Sequence, residues 1–373
     1  MRVVVTGSAG FLGWHLRCRL QASGGDDVLA LDRVGFADLE EAVADADAVV
    51  HVAGVNRATN HQEVVEGNLA LARGVAAAVV RSGRAPRLVF ANSVQAGNGT
   101  PYGEAKLRAS HILAQAADAV GAPYVDVLLP NLFGEHGRPA YNSFVATFCH
   151  QVVAGEQPVV QDRDVELLHA QDAAAALQEA LAGPTRVERP EGAVTRVSDV
   201  LAMLRDFDDR YVHGEVPDVT SRLGRRLFST YRTVAFEQRG PFSLDPRRDD
   251  RGCLVETVRA HGRGGQSFLS LTVPGALRGG HFHLEKLERF VVVRGRARIR
   301  LRRLFADEVH EYDVTGDEPV AIDMPAMWAH DLMNVGDDEL VTSFWTDAVF
   351  DPAAPDTYPE AVELAHAGGR LLP

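Results

Sequence analysis

A single change of pattern near residue 240 divides this chain of 373 residues into two kinds of sequence. Before it, short apolar runs alternate with amphipathic stretches of helical length. The runs are "RVVVT", "DVLALD", "DAVVHVAG", "RLVFANS" and "YVDVLLP"; between them lie segments such as "HQEVVEGNLALARGVAAAVVRSG" and "YGEAKLRASHILAQAADAVG". That alternation predicts a parallel sheet wrapped by helices. After residue 240 the long helical stretches stop. "SFLSLTV", "ERFVVVRGRARIRL", "EYDV", "PVAIDM" and "ELVTSFWT" follow one another across turns rich in Gly, Pro and Asp. This texture predicts an all-β unit. The expected organisation is an α/β domain over 1–240 and an all-β domain over 241–373.

Composition narrows the function classes. A hydrophobic content of 46% with 24% charged residues supplies two cores. No apolar run reaches the roughly 18 residues that a membrane helix needs. "MRVVVTGSAG" reads as a strand and a glycine turn, not as a cleavable leader. Cys18, Cys149 and Cys253 are odd in number and far apart, so no disulfide framework is expected and a cytoplasmic location is. A net charge of -13 argues against nucleic acid or an anionic membrane as partner. A basic stretch such as "RLGRRLF" at 222–228 reads as a solvated helix face.

The first strand runs into "TGSAGFLG", where Gly7, Gly10 and Gly13, with Phe11 and Leu12 between them, open a helix. Glycines at this spacing let the backbone approach a pyrophosphate at the helix N-terminus. The second strand ends at Asp32 and Arg33. The acidic residue suits a ribose 2'-hydroxyl and the arginine a 2'-phosphate, so NADPH is expected, with NADH as the alternative.

Of 38 Lys and Arg residues only Lys106 and Lys286 are lysine. Arginine does not give up its proton in a protein, whereas lysine does. Lys106 lies four residues after Tyr102, on the same helix face, and Ser93 ends the strand upstream. An ammonium beside a phenol is expected to lower the phenol pKa. The three residues suit the interconversion of a carbonyl and an alcohol: Tyr102 moves the proton and Ser93 hydrogen-bonds the same oxygen.

These motifs make residues 1–240 resemble an extended short-chain dehydrogenase/reductase of Rossmann type that acts on nucleotide sugars. The resemblance implies that Ala53 and Gly54 of "HVAGVNR" cover the cofactor, that Asn68 is the family's helix asparagine, and that Asn56, Arg57, Asn131 of "PNLFG" and Asn142 of "AYNSFVATF" meet the substrate. It also implies a homodimer. Dehydratases of this superfamily follow the serine position with an Asp-Glu pair, whereas Val94 and Gln95 stand here. That favours a ketone reductase.

In the all-β half, His281 and His283 alternate on a strand, Glu288 follows a short turn, and His330 lies on a later strand. Three imidazoles and a carboxylate suit zinc or another divalent first-row metal. The spacing from Gly275 to Gly295, and again at Pro325, His330 and Asn334, resembles the two-part cupin signature, with Met327 in place of a glycine.

"FSTY", "RDDRGCLVET" and "FDPAAPDTY" extend the likeness over the whole chain. It resembles the bifunctional capsular-polysaccharide enzymes of the CapF/WbjC type, a reductase fused to a cupin. The resemblance implies that the cupin epimerises C3 of a UDP-2-acetamido-2,6-dideoxy-4-ketohexose, and that the reductase then reduces C4 with NADPH to an L-talose-type product. Lys286 is then expected to act as an acid/base or as a phosphate contact, against the alternative of a solvent-facing turn lysine, and Arg278 to hold the diphosphate. Two other readings stay open: a reductase with a structural or sugar-binding cupin, and a non-catalytic NAD(P)-sensing protein. Ser93, Tyr102 and Lys106 together argue against the sensor.

Overall fold

The computed structural model describes residues 1–250, 252–262 and 264–363. They form two compact units: 1–147 with 160–200, and 148–159 with 201 onward. The division therefore falls about forty residues before the expected boundary at 240. The cause is the helix Arg222–Arg239, which packs with the strands that follow it. Phe236 enters the apolar core of the second unit, and Arg232 donates to Met324 O at 2.6 Å. This helix is also not the solvated face expected of "RLGRRLF". Arg226, Leu227 and Phe228 are buried, and the Arg226 guanidinium pairs with Glu285.

The first unit carries a six-stranded parallel sheet. Its order is Asp27–Leu31, Arg2–Thr6, Ala48–His51, Arg87–Ser93, Tyr124–Leu129 and Arg186–Glu188. The strands read as continuous apolar runs because both faces are covered. Val3, Val5, Val50 and Val127 face one core, and Val4, Val49, Leu88 and Phe90 the other. The chain moves first to one side of Arg2–Thr6 and then to the other. A switch point opens between that strand and Ala48–His51, where ligands of such sheets bind.

The second unit contains two antiparallel five-stranded sheets. Phe290, Ile322 and Phe344 of one pack against Ala297, Ile299, Leu301 and Leu332 of the other. Alternation is visible on Glu288–Arg294. Glu288 faces the histidines, while Arg289 makes a bidentate pair with buried Asp323 at 2.7 and 2.9 Å. Cys18 and Cys149 are buried thiols, and the side chain of Cys253 lies outside the described residues. Among the described residues no helix is long and apolar enough to cross a membrane.

Candidate functional site

The glycine turn sits at the switch point. Gly7 has φ +69, and a Cβ there would stand 2.7 Å from the backbone of Ala53 at the end of the neighbouring strand. A Cβ on Gly13 would overlap Gly7 O. Gly10 caps the helix Phe11–Ser23 in extended conformation with no side-chain cap, so the first helical N–H groups stay open to a pyrophosphate. Only glycine leaves this cradle empty, and the cradle fits a dinucleotide. Asn68 donates to Val55 O and Val64 O, both at 2.7 Å, and accepts from Val55 N, which fixes the segment containing Ala53 and Gly54. Asp32 Oδ1 takes the N–H groups of Val34 and Gly35, leaving Oδ2 for a ribose hydroxyl; Arg33 is exposed beside it.

Ser93, Tyr102 and Lys106 come together on the ends of Arg87–Ser93 and Pro101–Val120. Thr100 caps that helix and Pro101 opens it, as its sequence favours. Ser93 lies near enough to the Tyr102 phenol to act on its ionisation. Lys106 is buried; its Nζ donates to Ala91 O at 2.7 Å and lies 4.4 Å from the Phe90 ring centre. The expected lowering of the Tyr102 pKa is not found. Burial raises it, against the opposing influence of Ser93, so the phenol is held protonated. The lysine is the group that moves down, to about 8, through burial and despite the opposing charge of Asp126. Beneath them lies a pair that sequence reading missed. Asn92 accepts from Ser93 N at 2.9 Å and donates to Asp126 at 3.1 Å, which fixes the strand end bearing Ser93.

Of the expected substrate residues, Arg57 and Asn142 meet directly, Nε to Oδ1 at 2.9 Å. The guanidinium groups of Arg57 and Arg138 both lie beside the Tyr141 ring. Asn131 stands elsewhere, donating to Glu166 O, and Asn56 is exposed.

In the second unit the ligand atoms of His281, His283, Glu288 and His330 all lie within 4.8 Å of one another. Gly279 and Gly280 take positive φ at a bulge, which brings His281 opposite His330 across the strands. The glycine position of the motif keeps its left-handed backbone. Met327 has φ +63, and its N–H donates to His283 O at 2.6 Å. A buried methionine occupies a strained conformation, at a cost of order 1–3 kcal/mol, to hold the two ligand-bearing segments together.

The chemistry of the donor set follows from the hydrogen bonds. His283 Nδ1 faces Asp356 O, and His330 Nδ1 faces Trp328 O at 3.1 Å. A carbonyl only accepts, so both protons sit on Nδ1 and both Nε2 atoms carry lone pairs. Those lone pairs face Glu288 Oε2 at 3.0 and 3.5 Å, and buried His330 Nε2 has no hydrogen-bond partner. Three acceptors converge with no proton between them unless an imidazole is charged; a divalent cation satisfies all three. Were the imidazoles instead charged and donating from Nε2, their hydrogen bonds and charges would outweigh the upward push of burial and hold the Glu288 carboxyl well below its usual range. Burial, then the neighbouring histidines, bring His281 down to about 3, so it too offers a lone pair. The residues fit zinc or another divalent first-row metal.

Lys286 is not a solvent-facing turn residue. Its Nζ donates to Pro355 O at 2.9 Å and to Thr357 Oγ1 at 3.2 Å. Arg278 reaches across to the edge strand of the other five-stranded sheet, onto Thr272 Oγ1 and Leu271 O.

A dinucleotide cradle at the switch point with a Ser-Tyr-Lys group beside it defines a class, and the chain belongs to the NAD dependent epimerase/dehydratase family, whose model matches residues 3–194. Residues 247–358 match the polysaccharide biosynthesis C-terminal domain. Over 96% of its length the chain is 32% identical to a UDP-2-acetamido-2,6-beta-L-arabino-hexul-4-ose reductase of Pseudomonas aeruginosa, covering 98% of that protein. It is similar to the crystal structure of the capsular polysaccharide assembling protein CapF from Staphylococcus aureus, with 31% identity, TM-score 0.64, and coverage of 97% of this chain and 100% of that one. A CapF structure with the inhibitor 3-isopropenyl-tropolone is similar over the same 97% and 100%, at 29% identity and TM-score 0.56.

Proposed function

We propose that this chain converts a UDP-2-acetamido-2,6-dideoxy-4-ketohexose in two steps. Its second unit inverts C3, and its first unit reduces the C4 ketone with NADPH, giving an L-talose-type product for polysaccharide or another glycosylated product. The observation that carries the two-step reading is the cluster His281, His283, Glu288 and His330, with its converging lone pairs. A plain reductase needs no such group.

In the first step the C4 ketone acidifies the C3 proton, because the resulting carbanion is an enolate. A base removes that proton and an acid returns it on the other face. A divalent cation in the cluster supplies positive charge that stabilises the enolate. His281, His283, Glu288 and His330 would hold it. Lys286 is the candidate for the proton; its charge is felt by His281. In the second step a reduced nicotinamide held by the cradle of Gly7, Gly10 and Gly13 would supply hydride to C4. Tyr102, held protonated, donates to the ketone oxygen while Ser93 hydrogen-bonds it, and Lys106 beneath them takes part in restoring the phenol proton. Reduction removes the ketone and so locks the new stereocentre, which places epimerisation first. The name of the Pseudomonas relative supports the keto-sugar, and the inhibitor of the CapF structure, a tropolone with adjacent oxygens suited to chelation, supports the metal.

Proton NMR in D2O tests this. With the 4-ketosugar and no NADPH, the C3 proton signal is expected to disappear. Adding NADPH then yields the 4-hydroxy product with deuterium at C3. Reduction without prior exchange would leave a reductase whose second unit only binds or stabilises.

A further inference from the structure

We propose that Asp356 is a positioning residue of the metal centre, setting both the shape of its ligand loop and the tautomer of His283. This rests on the reading of His281, His283, Glu288 and His330 as a metal site. Residues 283–287 join the strand ending at Phe282 to the strand that begins at Glu288. Three successive N–H groups of that loop point at one carboxylate. Leu284 N donates to Asp356 Oδ1 at 2.9 Å, and Glu285 N and Lys286 N donate to Oδ2 at 3.0 and 2.8 Å. The same residue's carbonyl takes His283 Nδ1–H. One residue thus fixes the spacing between two ligands and turns the Nε2 lone pair of one of them inward.

Asp356 adopts φ +44, a left-handed conformation that Asp and Asn tolerate better than other non-glycine residues. Its segment is anchored independently of it. Buried Arg302 donates to Glu360 Oε1, Ala361 O and Val362 O. Glu360 N donates to Gly280 O at 2.9 Å, and Pro359 stands opposite His281 in register. Removing the Asp356 carboxylate therefore frees the loop without detaching the segment that crosses it.

The full chain as wild type, Asp356→Ala and Asp356→Asn is titrated with zinc against a chromophoric chelator, and with cobalt by visible spectroscopy. Glu363→Ala is the control; it removes a terminal ion pair with Arg300 in the same segment and touches no ligand. Asp356→Ala is expected to weaken zinc binding roughly 10–100-fold, as loss of groups that orient ligands does, and to change the cobalt spectrum. Asp356→Asn keeps one acceptor and the backbone conformation, so its loss is smaller, and it carries the test if the alanine variant does not fold. Glu363→Ala keeps wild-type affinity. A wild type that binds neither metal overturns the metal reading and this inference with it. Wild-type affinity and spectrum in Asp356→Ala overturn this inference alone. So does an equal loss in Glu363→Ala, which would mark general loosening of the segment.

Discussion

Tyr102→Phe is expected to lower NADPH consumption on a UDP-linked 4-ketosugar by about 10²–10⁴-fold, the usual range for loss of a positioned proton donor. Cofactor affinity stays at the wild-type level. The cradle of Gly7, Gly10 and Gly13 lies at the strand end and helix start, and the phenol contributes nothing to it. The substitution removes one oxygen and leaves the ring's packing on Pro101–Val120 unchanged, so the loss reads as chemistry. Turnover assays and a fluorescence titration of NADPH on the same sample separate the two effects. Unchanged turnover would refute Tyr102 as the donor. Ser93→Ala is expected to cost less, because it removes a hydrogen bond to the ketone and not the proton itself.

Asp323→Ala is the largest expected stability effect, about 3–5 kcal/mol. Arg289 and Asp323 are only 1% and 4% exposed at the side chain, and Tyr211 OH also donates to Asp323, at 2.7 Å. Removing the carboxylate strands a buried guanidinium and a buried phenol together. Burial alone would raise the Asp323 carboxyl; the charge of Arg289 overcomes it and holds the group below its usual range. The contrast is Arg298 with Asp313, a bidentate pair of similar length that is 40% and 63% exposed. Arg298→Ala there is expected to leave stability nearly unchanged, because solvent screens the pair. Urea unfolding followed by tryptophan fluorescence checks both, since Trp328 and Trp345 lie in this unit. Equal losses at the two sites would show that burial does not set the energy of these pairs. Replacing both partners, Arg289→Met with Asp323→Leu, recovers part of the loss, because no charge is then left unpaired.

What was legible in the sequence was local. The glycine turn, the Tyr102–Lys106 spacing and the alternation of His281 and His283 each report on one strand or one helical turn, and backbone geometry converts such spacings directly into shared faces. Effects set by distant parts of the chain were not legible. The helix Arg222–Arg239 reads as polar because arginines hide its apolar face, yet residues 226–236 are all buried. The Tyr102 phenol moves up and not down, because burial acts on it more strongly than the opposing influence of Ser93. Asp356 was present in the motif "FDPAAPDTY", but its partners are backbone N–H groups, which leave no mark on residue identity. Met327 looked like a departure from the motif, and only the backbone reveals that the left-handed turn survived the loss of glycine.

The contact between Lys286 and Asp356 spans 70 residues of chain. A ribosome adds about 5–20 residues per second, so the ligand loop emerges roughly 4–14 s before the carboxylate that shapes it. During that interval the N–H groups of residues 284–286 face water, and the His283 ring is free to change tautomer. On the proposed metal reading, a cation caught early would be held by an open, exchanging set of ligands. Retention would begin when residues 355–363 dock. The order in which the chain is made would then give the centre a period of sampling followed by closure, with the identity of the ion decided late in the life of the nascent chain.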